Sequence, residues 1–249
     1  MDLRHGGIRP VNLPYDFLPV VDTLKDAFGK DIILLNDATA GALAERVYGA
    51  GKHHPNLVYV TMTTGIGGGA MVDGRLLMGK DGNAVEAGHL TVDSLFRLAC
   101  GCGKRGHWEG YCSGRNIPQF AKLIINNLSS NEKRAFSRSR LLAGQGRMTA
   151  KGIFRESSCG DSLALKIIDE VGRLKSIGIS DLVILFDPSL ITVGGSVALN
   201  NSAQIVSYVK RNMGQHAMTR LPMIRVTPLG EDIVLLGAVA AALNPLPGG

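Results

Sequence analysis

The chain has 249 residues, 45% of them apolar and 19% charged, so it can bury a sizeable core and reads neither as a disordered segment nor as a disulfide-stapled miniprotein. Its 27 basic and 21 acidic residues leave a net charge of +6, which suits an anionic ligand, and the one dense basic stretch (Lys133, Arg134, Arg138, Arg140, with Phe136 between) reads as a solvated face rather than a nucleic-acid patch. No uninterrupted apolar run of about 18 residues is present and residues 1–7 hold no apolar signal core, so neither a membrane span nor a secretory signal is expected, and the cytoplasm is the expected location.

In chain order, the opening stretch is broken by Pro10, Pro14 and Pro19, and residues 20–28 then carry helical spacing that stops at Gly29. Residues 31–35, Asp-Ile-Ile-Leu-Leu, read as a short buried strand that hands over at Asn36-Asp37 to an alanine-rich helix over 38–47. A second strand over 57–62 enters a loop over 63–69, Thr-Thr-Gly-Ile-Gly-Gly-Gly, and a strand resumes over 70–72. Asp73-Gly74 predicts a hairpin turn, with 75–77 returning. From Gly79 to Gly114 the chain is dense in glycine and holds Cys100, Cys102 and Cys112. Helices are predicted over 117–128 and over 162–179 or a little beyond, whereas 129–154 is polar and its first half reads as a loop. A strand over 190–193 feeds Gly194-Gly195-Ser196, and a helix over 203–213, a strand over 224–228 and a helix over 233–243 follow, with the residues from 244 expected to fray. Strands alternating with helices place the chain in the α/β class.

Four places carry chemistry. Asn36-Asp37 stands where a strand meets a helix; ligands of open α/β sheets bind beyond strand carboxyl ends, and a carboxylate there can take a proton from a hydroxyl nucleophile, although Asp37 can equally serve only to cap the helix. The threonines and glycines of the 63–69 loop can turn amides and hydroxyls toward an anion, although the lysine and spacing of a Walker loop are absent and a plain hairpin turn is the alternative. Cys100, Cys102 and His107 lie within eight positions and His89 precedes them by eleven, a Cys2His2 set that makes a closed tetrahedral zinc site of structural kind. Cys112 is a substitute ligand in this scheme, and Cys159 stands apart. Gly194-Gly195 at a strand end lets a base or phosphate lie against backbone.

Taken together, Asn36-Asp37-Ala38, the Thr64-Gly65-Ile66-Gly67-Gly68-Gly69 loop, Glu86-x-Gly88-His89, Cys100-x-Cys102-Gly103-x-x-Gly106-His107-x-Glu109, Gly194-Gly195 and the ending Leu229-Gly230-Glu231-Asp232…Leu236-Gly237-Ala238 resemble, in this order, the ROK family of sugar kinases, repressors and open reading frames. The resemblance implies an actin-like (ribonuclease H-like) fold of two α/β lobes around a cleft, with residues 1–38 as the remnant of the smaller lobe, the final helix over 233–249 packing near it, and 39–232 as the larger. It implies ATP-dependent phosphorylation of a hexose, glucose or a close relative, with magnesium on the phosphates, zinc in the loop and a homodimer or homotetramer as the assembly. Asp37 is then the general base, and Asn36, Glu86, His89 and Glu109 are sugar contacts. Thr63, Thr64, Gly65, Gly67 and Gly68 hold the phosphates, and Gly194 and Gly195 lie near the adenosine. His89, Cys100, Cys102 and His107 bind zinc, His107 standing where the family has a third cysteine. The family's usual opening, a strand, an Asp-x-Gly-Gly-Thr turn and a returning strand, does not precede Asn36, so the smaller lobe is expected to be incomplete and the 31–35 strand to keep an uncovered face. The alternative is a sugar-binding protein or inactive shortened kinase of the same lineage; no helix-turn-helix is seen, so no nucleic-acid or membrane partner is expected.

Overall fold

The computed structural model describes residues 1–9 and 14–243; the predicted fraying from residue 244, and the part of the final helix placed beyond 243, lie outside the described residues. Two apolar runs organise the molecule. Leu57–Met62 (β1) and Leu190–Gly194 (β4) pair in parallel from Leu57↔Leu190 to Thr61↔Gly194, and their apolar residues are buried on both faces because helices cover both sides. The chain reaches β1 through a helix, α1 (Val20–Phe28), closed by Gly29 at φ 61°, and a second, α2 (Asp37–Val47). It doubles back through β2 (Ile66–Val72) and β3 (Arg75–Leu76), turning at Asp73 and Gly74 with positive φ at both, as the Asp-Gly pair predicts. After a loop-rich stretch come α3 (Glu109–Cys112), α4 (Ile117–Asn126), α5 (Ser130–Ala135), α6 (Ala150–Ser158) and the 25-residue α7 (Ser162–Phe186). Beyond β4 follow α8 (Ser196–Asn200), α9 (Ser202–Asn212), β5 (Met223–Val226) and α10 (Ile233–Leu243). Among the described residues the strands form one sheet in the order β3-β2-β1-β4-β5, with β1, β4 and β5 parallel and β2 and β3 antiparallel to their neighbours.

Alternation along β1 sorts the core. Val58, Val60 and Met62 enter the large cluster beneath α7, with Trp108, Phe120, Ile167 and Leu174, whereas Leu57 and Tyr59 join Ala42, Ala44 and Ile233 on the opposite face. On that second face α2 lies between the sheet and α10, and the spacing is set by absent side chains. A Cβ on Gly69 would stand 2.3 Å from the Ala38 carbonyl oxygen, one on Gly41 would stand 2.4 Å from the Tyr59 ring, and one on Gly237 of α10 would stand 2.0 Å from the Ala40 carbonyl oxygen.

Four expectations are corrected. Residues 31–35 form no strand, and their backbone has no hydrogen-bond partner among the described residues; Ile33 is 48% exposed while Leu35 packs on Leu43, Ala240 and Ala241. An apolar run becomes a strand only when a neighbouring strand satisfies its amides and carbonyls, and among the described residues no strand lies beside this one. The 63–69 loop shrinks to a hairpin at Thr63–Gly65, because Ile66–Gly69 pair with Met62–Tyr59 as part of β2. The polar 129–154 stretch contains α5, held by a reciprocal Ser129–Glu132 capping box, and the start of α6, capped by Thr149. Finally, α8 occupies the residues just after Gly195 that the sequence left without an element, and α7 runs on to Phe186.

Because α10 touches the α2 backbone at Gly237, Gly237→Ala is expected to cost about 1–3 kcal/mol despite alanine's better helix propensity. A urea midpoint that falls with an unchanged slope would show this, and an unchanged midpoint would contradict the contact.

Candidate active site and metal centre

The carboxyl ends of β1 and β4 lie side by side, so whatever follows each strand is brought to one place. After β1 the chain turns through Thr63, Thr64 and Gly65, with the Thr63 amide donating to the Gly65 carbonyl at 2.9 Å. After β4 it turns through Gly195 at φ 82°, where a Cβ would stand 2.7 Å from the Met62 carbonyl oxygen and from Thr63 Cγ2. The hairpin and the Gly194-Gly195 pair therefore touch, as the α/β reading requires. Gly67 and Gly68 sit inside β2, Gly68 buried against Val85 and Ala87.

The third element at this edge is the start of α2, which meets β2 where Gly67 faces Ala38. The helix cap, which the sequence offers as the alternative role of Asp37, is made by Asn36, whose Oδ1 accepts from the amides of Ala38 at 2.9 Å and Thr39 at 3.3 Å. Asp37 is exposed; its Oδ1 accepts from the Ala38 amide at 2.8 Å and its Oδ2 has no protein partner among the described residues. A carboxylate oxygen thus stands open at the N-terminus of a helix whose next residue, Ala38, packs on Gly67 of β2.

The metal-ligand residues converge as their spacing predicts. One donor atom from each of His89, Cys100, Cys102 and His107 can be chosen so that all lie within 4.8 Å of one another. His89 Nδ1 is 3.7 Å from Cys100 Sγ and His107 Nδ1 is 3.3 Å from Cys102 Sγ. Ligand bonds of about 2.3 Å to sulfur and 2.0 Å to nitrogen, at a tetrahedral angle, place S and N about 3.5 Å apart, which both of these Cys–His separations match. Two imidazoles and two thiols close the set. Burial pushes the Cys100 thiol up to about 12, and burial together with the neighbouring His89 lowers His107. Cys112 does not join the set: it is fully buried, with Sγ 3.5 Å from the Val171 carbonyl on α7. Cys159 caps α6 at the surface.

Around this centre the remaining predicted residues gather. His89 Nε2 is 3.8 Å from Glu86 Oε2, so its two ring nitrogens face different partners, Cys100 on one side and Glu86 on the other. Glu109 opens α3, accepts the Ile66 amide on Oε2 at 3.0 Å and places Oε1 3.5 Å from Cys100 Sγ. One side chain therefore ties the hairpin to the metal loop, and Gly65 and Gly101 lie against it. Sequence reading missed Asp93, which is buried beneath the loop and accepts from Arg97, Tyr111 and the amides of Leu95 and Arg97. Its only linear signal was an Asp-Arg pair four apart.

A five-stranded sheet of this order, with a hairpin, a helix N-terminus and a Cys/His loop at the carboxyl ends of its parallel strands, is the actin-like fold of sugar kinases. The chain belongs to the ROK family, whose model matches residues 6–244. It is 34% identical to a glucokinase of Aeropyrum pernix over 252 aligned residues, covering 98% of this chain and 77% of that protein. Among solved structures it resembles a ROK hexokinase from Thermus thermophilus (33% identity, TM-score 0.78, 98% of this chain and 76% of that one). It also resembles a ROK family glucokinase from Streptomyces griseus in complex with glucose and AMPPNP (30% identity, TM-score 0.74, 96% of this chain and 77% of that one).

Asp93 sets the acid behaviour of the loop. Burial alone would raise its carboxyl, but the hydrogen bonds from Arg97 and Tyr111 and from backbone amides outweigh burial and hold it at about 2. A depressed carboxyl contributes fully above its unfolded value near 4 and loses that contribution as pH falls toward 2, so wild-type stability is expected to drop across this window. Asp93→Asn should cost about 2–3 kcal/mol at neutral pH and flatten the same window. Denaturant midpoints from pH 2 to 7 would read both effects, and parallel curves for the two proteins would refute them.

Proposed function

We propose that the chain is a hexose kinase that transfers the terminal phosphoryl group of ATP to a hydroxyl of glucose or a close relative. The observation that carries the reading is Asp37, an exposed carboxylate with one oxygen unpartnered among the described residues, at the start of a helix whose Ala38 packs on Gly67 of β2. The glucokinase of Aeropyrum pernix and the relative solved with glucose and AMPPNP support it. In this scheme Asp37 takes the proton from the sugar hydroxyl as its oxygen attacks the terminal phosphorus and the bond to the bridging oxygen of ADP breaks. Asn36, whose Nδ2 is free of protein partners among the described residues, hydrogen-bonds the sugar together with Glu86, His89 and Glu109. Thr63, Thr64 and Gly65 offer hydroxyls and amides to the phosphates, with magnesium on the nucleotide, and Gly194-Gly195, packed against the end of β1, lie near the adenosine.

The metal centre is structural in this reading. His89 Nδ1 joins the ligand set and Nε2 points to the Glu86 side, so a bound zinc would fix the tautomer and orientation of a ring that also serves the sugar. Residues 1–38 with the final helix form the smaller lobe and 39–232 the larger, the seam being the contact of α10 on α2. A cytoplasmic homodimer or homotetramer is the assembly proposed.

Two experiments test the reading. A hexose panel with ATP should show turnover, and Asp37→Asn should lose about 10²–10⁴-fold in kcat with hexose affinity within about twofold; inactivity of the wild type on every hexose, or an equally fast variant, would reject it. Metal analysis should find about one zinc per chain, and Cys100→Ser with Cys102→Ser should lose the zinc, melt earlier and bind glucose at least about tenfold more weakly. Glucose binding that survives zinc loss would remove the loop from the sugar site.

A further inference from the structure

Phosphoryl transfer from a nucleotide calls for positive charge held against the phosphates. The side chains at the hairpin are Thr63 and Thr64, with Glu109 lying against Gly65; none of them is a fixed cation, and the hairpin lacks a lysine. The structure places one beside it. The connection between α3 and α4 runs along the hairpin, with the Gly114 amide donating to the Thr63 carbonyl at 2.7 Å and the Arg115 amide donating to the Thr64 carbonyl at 3.4 Å. Gly114 permits this approach, since a Cβ there would stand 2.8 Å from the Thr63 carbonyl oxygen. The connection is pinned: Ser113 is fully buried, and Asn116 Nδ2 donates to the Glu109 carbonyl at 3.1 Å and to Ser113 Oγ at 3.0 Å. Arg115 itself is exposed, and its guanidinium has no hydrogen-bond or ion-pair partner among the described residues.

The neighbouring arginines are already engaged. Arg105 donates to the carbonyls of Phe96 and Arg97, and Arg97 is locked on Asp93. We propose that Arg115 is the phosphate-binding cation of this site, gripping the nucleotide's phosphate tail over the Thr63–Gly65 hairpin. A guanidinium suits this task because its planar fork meets two phosphate oxygens at once and its charge persists at every working pH. The inference rests on the hairpin being the phosphate site.

The test measures AMPPNP binding and glucose binding separately, by calorimetric titration of the wild type, Arg115→Lys and Arg115→Ala, alongside steady-state rates. The expected result is AMPPNP affinity at least about tenfold weaker in Arg115→Ala and intermediate in Arg115→Lys, with glucose affinity within about twofold and an unchanged melting temperature. In rates, KM for ATP should rise while KM for glucose holds. AMPPNP affinity within about twofold of wild type in Arg115→Ala, or no AMPPNP binding by the wild type at all, would overturn the assignment. A wild type that binds AMPPNP yet phosphorylates no hexose would reject the kinase reading alone, and the variant titrations would still decide the role of Arg115.

Discussion

The position of α2 is the constraint on which the site depends. This helix carries Asn36 and Asp37 at its start and is held between the sheet and α10 by contacts in which backbone meets backbone. Gly69 admits the Ala38 carbonyl, Gly41 admits the Tyr59 ring and Gly237 admits the Ala40 carbonyl. A side chain at any of these points would push the helix outward and carry the Asp37 carboxylate away from the hairpin. Small residues here serve as spacers, and the alanine-rich composition of α2 is the price of that closeness.

A second constraint works where apolar burial is scarce. The stretch between β3 and α3 contains glycines, two isolated bridges and few buried side chains, so it cannot order itself by packing. It is held by polar devices: the Cys/His set, the Asp93 carboxylate with its ring of donors, and Glu109 reaching from α3 to the Ile66 amide. These devices meet. Glu109 touches both the hairpin and Cys100, and His89 faces Cys100 with one nitrogen and Glu86 with the other. Order in the loop and geometry at the hairpin are thus coupled through Glu109.

The elements whose sequence pattern is self-sufficient matched the structure well. Val20–Phe28 with its glycine stop, the Asp73-Gly74 turn and the β1 and β4 runs are all where periodicity and turn chemistry put them. Elements whose identity depends on a distant partner did not. Residues 32–35 have the composition of a strand and, among the described residues, no ladder beside them, and the glycines after Gly65, which looked like loop, are strand because β1 pairs with them and α2 needs the room. Asn36 rather than Asp37 makes the helix cap, a distinction of one residue that leaves an Asp37 oxygen open.

The sequence alone determined the α/β class and the Cys2His2 spacing, because turn propensities, hydrophobic period and ligand spacing are local properties written in neighbouring positions. Only the tertiary structure decided that Glu109 bridges hairpin and metal loop, that Cys112 belongs to the core, that Asp93 anchors the loop and that Arg115 runs beside Thr64. Each of these is a contact between segments whose order in the chain says nothing of their separation in space. They are set by where the parallel strands end and by how closely glycine lets the backbones meet.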